Sequence, residues 1–315
     1  MAKILDWNKY FDAAVKIAEE GTVMLENNGV LPLNKGSKVA LFGRMQNHYY
    51  KSGSGSGGMV NVTHIVTVRE ALDEDRVEVF YQPIYNTKEK TFELAEALCR
   101  IKNKDGSFMS PGVFIPVSES SGSVSLLGER VYRKVCDFYN EGEIKKLGVK
   151  NIDVNLSAIQ CDNIELAKHF EKIAKDKNID PSLISFEITE TAFSSVNANM
   201  LTNMNQLIDS GFEFALDDFG KGASNLMYAI EMPVKVIKMD MELTQLFMKD
   251  EKAKAVAPAI IKMAHDMDLK VVSEGVEDAK QADIVTKAGV DFIQGYYYSK
   301  PLPKDEYIKF LKEHK

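Results

Sequence analysis

Residues 212–220, FEFALDDFG, run apolar and aromatic up to two adjacent aspartates, Asp217 and Asp218, and then turn at Gly220. An apolar run of this length that stops in polar residues has the character of a buried strand entering a loop. The same texture returns along the chain in VFYQPIY at 79–85, NIDVNLS at 151–157, LISFEITE at 183–190, VKVIKMD at 234–240, KVVSEGVE at 270–277 and DFIQGYYYSKP at 291–301. Between these runs lie segments with apolar positions at helical spacing, such as NIELAKHFEKIAKDK at 163–177, NMLTNMNQLIDSG at 199–211 and AKAVAPAIIKMAHDMD at 253–268. Strands alternating with helices over residues 76–315 predict an α/β fold, a (β/α)8 TIM-like barrel of parallel strands. Runs that are apolar nearly throughout suit strands covered on both faces.

In a barrel of this kind the chemistry sits where strands end and βα loops begin. Asn155, Glu187, Asp217, Asp218, Lys238, Glu274 and Gln294 each stand at or near the C-terminal end of a different run, apart from the adjacent aspartates, which share one. Several carboxylates pointing into one mouth repel one another unless cations neutralise them. An oxygen-rich donor set without histidine or cysteine suits Mg²⁺ or Mn²⁺ rather than zinc. Adjacent aspartates point to opposite sides of an ideal strand, so Asp217 and Asp218 share a site only where the strand bends, and Phe219 and Gly220 are expected to supply that bend. Paired in this way they could bridge two ions about 4 Å apart, the arrangement used in phosphodiester cleavage. The alternative, that some of these acids cap helices or lie on the surface, stays open. Lys238 could stabilise developing phosphate charge or simply pair with Asp240, and Tyr296, Tyr297 and Tyr298 could stack on a base or pack in the core.

The chain has 315 residues, 45% hydrophobic, with a formal net charge of -7. That charge argues against broad attraction to DNA or RNA polymers or to an anionic membrane surface. Cys99, Cys136 and Cys161 are odd in number and lack CxxC spacing, so they read as buried thiols in a reducing compartment. No window approaches the roughly 18 apolar residues of a membrane span, and a cytoplasmic protein is the expectation.

Residues 76–315 resemble the EAL domain, the cyclic di-GMP phosphodiesterase family. Glu96, Ala97 and Leu98 spell its name, and the resemblance runs in order through YQPI, EALCR, FIPVSESSG, VNLS, FEITET, DDFG, PVKVIKMD, SEGVE and QGYYYSKPLP. The resemblance implies that Glu96, Asn155, Glu187 and Asp217 bind a first metal ion, that Asp217 and Asp218 reach a second, and that Glu274 is a metal ligand or general base. It further implies a catalytic role for Lys238 with Gln294 beside it, substrate contacts from Gln82 and Arg100, and a loop-stabilising role for Glu190. The implied cofactors are two Mg²⁺ or Mn²⁺ ions per site, and the implied reaction opens cyclic di-GMP to linear pGpG; a catalytically weak receptor for the same ligand is the alternative. The family often forms homodimers. Its usual DFGTGYSS reads DFGKGASN here, with Lys221 and Ala223 in place of threonine and tyrosine. Lys221 could pair with Glu190, meet a substrate phosphate, or compete for the carboxylates meant for metal.

Residues 1–75 form a separate N-terminal α/β segment in this reading. From about residue 8 to 72 the chain resembles the opening of the C-terminal α/β domain of glycoside hydrolase family 3, with a helical pattern, the LPL turn at 31–33 and SKVALFG at 37–43. The Gly/Ser-rich loop at 52–58 fits GxGxxG, but the β-branched VNVTHIVTV that follows does not open a helix as a dinucleotide site requires. A sugar site would need two suitably spaced carboxylates that this stretch does not visibly supply.

Overall fold

The computed structural model describes residues 71–72, 74–190, 192, 198–221, 230–249 and 251–315. Residues 1–70 of the N-terminal segment, the loop at 52–58 among them, and Ala223 lie outside them.

Ten strands form one sheet: β1 (Val77–Asn86), β2 (Phe92–Lys102), β3 (Phe108–Met109), β4 (Asn151–Asn155), β5 (Ile184–Thr189), β6 (Glu213–Phe219), β7 (Val236–Met239), β8 (Lys270–Ser273), β9 (Phe292–Ile293) and β10 (Leu302–Pro303). Their order is β10-β1-β9-β8-β7-β6-β5-β4-β2-β3, and the additional pairing of β1 with β2 closes β1, β2 and β4 through β9 into an eight-stranded barrel. The (β/α)8 TIM-like fold is thus present, with one difference from the all-parallel expectation. From β2 through β9 the neighbours are parallel, whereas β1 runs antiparallel to both β2 and β9. The cause is the connection: only residues 87–91 separate β1 from β2, enough for a hairpin but not for a crossover helix. The sequence reading also passed over β2 as a strand, because Glu96 and Arg100 interrupt its apolar pattern.

Side-chain alternation sorts each strand into an apolar outer face and a polar inner one. On β5, Phe186 packs outward against Tyr132 of the helix Val124–Asn140 and Phe170 of the helix Leu166–Asp176, with ring centroids 5.7 and 5.2 Å apart. Its neighbours Ser185 and Glu187 take the opposite face and are buried polar residues inside the barrel. On β1, Tyr81 likewise packs outward on Phe138 and Tyr307, leaving Gln82 inward opposite Glu96 in the β1–β2 register. Helices continue the pattern with ordinary caps: Asp278 accepts from Gln281 N at 2.8 Å at the start of Ala279–Ala288, and Gly289 ends that helix at φ 103°.

Gly295, after β9, is a position of close approach. A Cβ there would lie 2.0 Å from the carbonyl oxygen of Val276, an atom fixed by its own backbone. Gly295→Ala is expected to cost about 3 kcal/mol, read as a lowered urea midpoint; an unchanged midpoint would show that the loop yields.

Candidate active site

Inward side chains from β2, β5 and β6, together with the residue that follows β8, meet at one lysine on β7. The Lys238 side chain is fully buried, and its Nζ lies 2.5 Å from Glu187 Oε1, 2.9 Å from Glu274 Oε1, 3.4 Å from Glu96 Oε2 and 3.9 Å from Asp217 Oδ1. Asp240 is not among these partners; it caps the next helix, Met241–Lys249, by accepting from Glu242 N at 2.7 Å. Burial alone would lower the ammonium's pKa, but Glu187, Glu274, Glu96 and Asp217 together raise it well above the usual lysine value, so it stays charged.

Glu96 is held from both sides. Asn155 Nδ2 donates to its Oε1 at 2.8 Å, and Gln294 Nε2 donates to its Oε2 at 2.6 Å and to Gln82 Oε1 at 3.2 Å. Gln82 in turn donates to the Ser299 carbonyl at 3.1 Å. Burial pushes Glu96 upward, but Lys238 and the two amide donors outweigh it and hold the carboxyl below its ordinary range. Its neighbours go the other way. Burial and then the charge of Glu96 push Glu187 well above the usual carboxylate range, and burial raises Asp217 against the pull of Lys238. Glu274 is pushed up to about 8 by burial, which Lys238 offsets only in part.

Asp153 joins this group without having been singled out from the sequence. It sits on β4 directly opposite Glu96, buried, with its carboxyl pushed up to about 6 by burial and by the charge of Glu96. The readable signal was an acid in the middle of NIDVN, at a position that alternation turns inward with Asn151 and Asn155.

The paired aspartates part company at a break in the ladder. Register between β6 and β7 slips between Leu216 and Phe219, and Asp218 itself adopts the left-handed conformation at φ 57°. The bend therefore begins at Asp218, one residue before the expected position, because the bulge accommodates the extra residue there. Asp217 turns toward Lys238, while Asp218 stands nearer the surface, 3.2 Å from Lys221 Nζ. Of the partners considered for Lys221, it takes Asp218 rather than Glu190. Glu190 Oε2 instead accepts from Gly220 N at 3.3 Å, tying the turn to the end of β5.

A cavity of about 520 Å³ opens beside these carboxylates, walled by Glu96, Arg100, Phe114, Glu119, Asn155 and Glu187 among others. Arg100 lies along its edge, donating to the Cys99 carbonyl at 2.9 Å with its guanidinium 5.5 Å from the Phe80 ring. Tyr298 stacks on Tyr85 with centroids 4.5 Å apart, as core packing would have it, whereas Tyr296 and Tyr297 are exposed. Cys136 and Cys161 are buried and Cys99 partly so, all three as free thiols.

Among the described residues, no three acidic, histidine or cysteine side chains are arranged to grip one ion as they stand, because the carboxylates are turned onto the Lys238 ammonium. The donor chemistry nonetheless fits a hard divalent cation. Both oxygens of Glu187 and Oδ1 of Asp217 are buried without a hydrogen bond, Glu187 Oε1 lying near Lys238 but outside hydrogen-bonding alignment. One lysine cannot neutralise Glu96, Asp153, Glu187, Asp217 and Glu274 together, and oxygen donors in carboxylate surplus are what Mg²⁺ and Mn²⁺ take. No described helix is long and apolar enough to cross a membrane.

Comparison with known proteins agrees with this fold. The signaling protein YkoW of Bacillus subtilis (strain 168) is 28% identical over 288 residues, covering 90% of this chain and 36% of YkoW. The probable cyclic di-GMP phosphodiesterase PdeB of Escherichia coli (strain K12) is 30% identical over 248 residues, covering 78% of this chain and 47% of PdeB. The chain thus spans less than half the length of these two relatives. Among solved structures, the PaMucR phosphodiesterase in complex with c-di-GMP superposes with a TM-score of 0.70 at 28% identity, covering 76% of this chain and 97% of that one. With the family pattern matched across residues 65–301 and the barrel and its carboxylate mouth in place, the chain belongs to the EAL domain family.

Proposed function

We propose that the chain is a divalent-cation-dependent phosphodiesterase that opens cyclic di-GMP to linear pGpG. The observation that carries this reading is the surplus of buried carboxylate oxygens around Lys238, beside a cavity large enough for a nucleotide base and its phosphate. Relatives that bear the name phosphodiesterase, and a similar structure holding c-di-GMP, support the choice of substrate.

Glu96, Asn155, Glu187 and Asp217 would hold one Mg²⁺ or Mn²⁺, and Asp217, Asp218 and Glu274 a second. Bound there, the ions would acidify an attacking water and neutralise charge on the phosphodiester. The chain's own groups supply the rest. Asn155 and Gln294 fix the Glu96 carboxylate between two amide donors, so it is oriented before any ligand arrives. The Asn155 amide nitrogen is committed to Glu96, which leaves its carbonyl oxygen as the ligating atom. Arg100, on the cavity wall, offers a guanidinium to a substrate phosphate. Glu274, its carboxyl raised by burial to about 8 and one oxygen 2.9 Å from Lys238, is mostly protonated at neutral pH in the cation-free chain; once ionised it would serve either as a cation ligand or as the base that takes a proton from water. Lys238 remains an ammonium throughout and stabilises negative charge developing on the phosphoryl oxygens.

The Lys221–Asp218 pair favours a second reading, a receptor that binds cyclic di-GMP without useful turnover. Single-turnover incubation with cyclic di-GMP and Mn²⁺ or Mg²⁺, following pGpG with binding measured in parallel, separates the two. Product that disappears in Glu96→Ala, by 10³-fold or so, is the expected result. Tight binding without product would make the chain a receptor.

A further inference from the structure

The turn after β6 carries a second ammonium, and the backbone that carries it is held in place. Lys221 N donates to the Asp218 carbonyl at 3.1 Å, closing a tight turn on the left-handed Asp218. Gly220 holds the turn from below, its N on Glu190 and its Cα so close to Leu243 that a Cβ would lie 2.4 Å from Leu243 Cδ2. The Lys221 ammonium is thereby tethered three residues from Asp218 and 3.2 Å from its Oδ1. The deeper carboxylates are already served by Lys238, so the two lysines divide the mouth: Lys238 beside Glu96, Glu187, Asp217 and Glu274, and the more exposed Lys221 beside Asp218.

We infer that Lys221 is a tethered counter-cation that competes with a divalent ion for Asp218, and so sets the affinity of the outer of the two cation positions independently of the inner one. This rests on the cation-dependent reading above. Both positions face the Lys238 ammonium, but the outer one loads only by displacing a second ammonium as well, one that cannot diffuse away. The chain then passes from singly to doubly loaded over the range of free cation set by Lys221, which makes this residue a determinant of cation response.

The test is Mn²⁺ binding to the full chain, followed by the electron paramagnetic resonance signal of free Mn²⁺, for the wild type, Lys221→Ala and Lys221→Arg. Lys221 is half exposed, so neither change disturbs the core. A unit charge a few ångströms from a divalent ion near the surface weakens its binding roughly tenfold. The expected result is a weaker class of site that tightens by about that factor in Lys221→Ala, stays weak in Lys221→Arg, and leaves the tighter class unmoved in both. Identical isotherms for wild type and Lys221→Ala, or a weaker outer site in Lys221→Ala, would overturn the role of Lys221 while leaving the cation reading intact. Absence of Mn²⁺ binding in all three proteins would overturn both.

Discussion

Lys238→Met is expected to abolish hydrolysis of cyclic di-GMP and to destabilise the cation-free protein by about 3–5 kcal/mol, the cost of leaving buried carboxylates without their ammonium. The methionine fills the lysine stem's volume, so the loss isolates the charge. Glu187, Glu274, Glu96 and Asp217 all lie within 4 Å of the Nζ that is removed. In the variant they relax by taking up protons or by binding cations. Excess Mn²⁺ should therefore restore more stability to Lys238→Met than to the wild type, while the rate stays down by 10³-fold or more because the ammonium that steadies phosphoryl charge is gone. Urea denaturation with EDTA and with Mn²⁺, alongside single-turnover pGpG formation, measures both. A cation-loaded variant that hydrolyses at the wild-type rate would reduce Lys238 to a structural counter-ion.

Stability of the chelator-treated protein is expected to fall as pH rises from about 5 to about 8. The direction follows from the carboxyls raised by burial: Glu274 at about 8 against an ordinary 4.5, Asp153 at about 6 against 3.8, with Glu187 and Asp217 shifted the same way. Between the ordinary values and the raised ones the folded chain keeps protons that the unfolded chain has released, so each added pH unit favours unfolding until the folded groups titrate as well. Glu96, held low, acts in the opposite sense, adding stability above its ordinary value and losing it at acid pH. The raised groups outnumber it, and the net loss across the window is on the order of 3 kcal/mol. Saturating Mn²⁺ should flatten the slope, since a cation takes the place of those protons. Urea midpoints at pH 5, 6.5 and 8 with EDTA would read this, and a midpoint that rises with pH would show that the carboxyls ionise freely in the folded state.

Alternation explains how much of the site could be read in advance. A strand of period two that must face helices on one side writes that face as Ile184, Phe186 and Ile188, and the residue that breaks the apolar run, Glu187, stands out as a deliberate inward polar group. The same logic exposes Asn155, Asp217, Lys238 and Glu274, each at the end of its run. It hides β2, whose Glu96 and Arg100 line the cavity and spoil the pattern by which strands are recognised; those residues came into view through the resemblance. It also passes over Asp153, which sits mid-strand rather than at an end, where acids are not sought.

The sequence by itself determined the alternation of strands and helices, the carboxylate-rich character of the mouth and the family to which the chain belongs, because periodicity and residue chemistry are local properties. The tertiary structure alone decided the rest. The antiparallel β1 follows from a five-residue connection closing against β2 and β9. The choice of Asp218 as the partner of Lys221 follows from a register slip that turns one aspartate inward and its neighbour out. The gathering of four carboxylates on one buried ammonium depends on strands far apart in sequence meeting around a closed barrel, and barrel closure is a property no single run of residues contains.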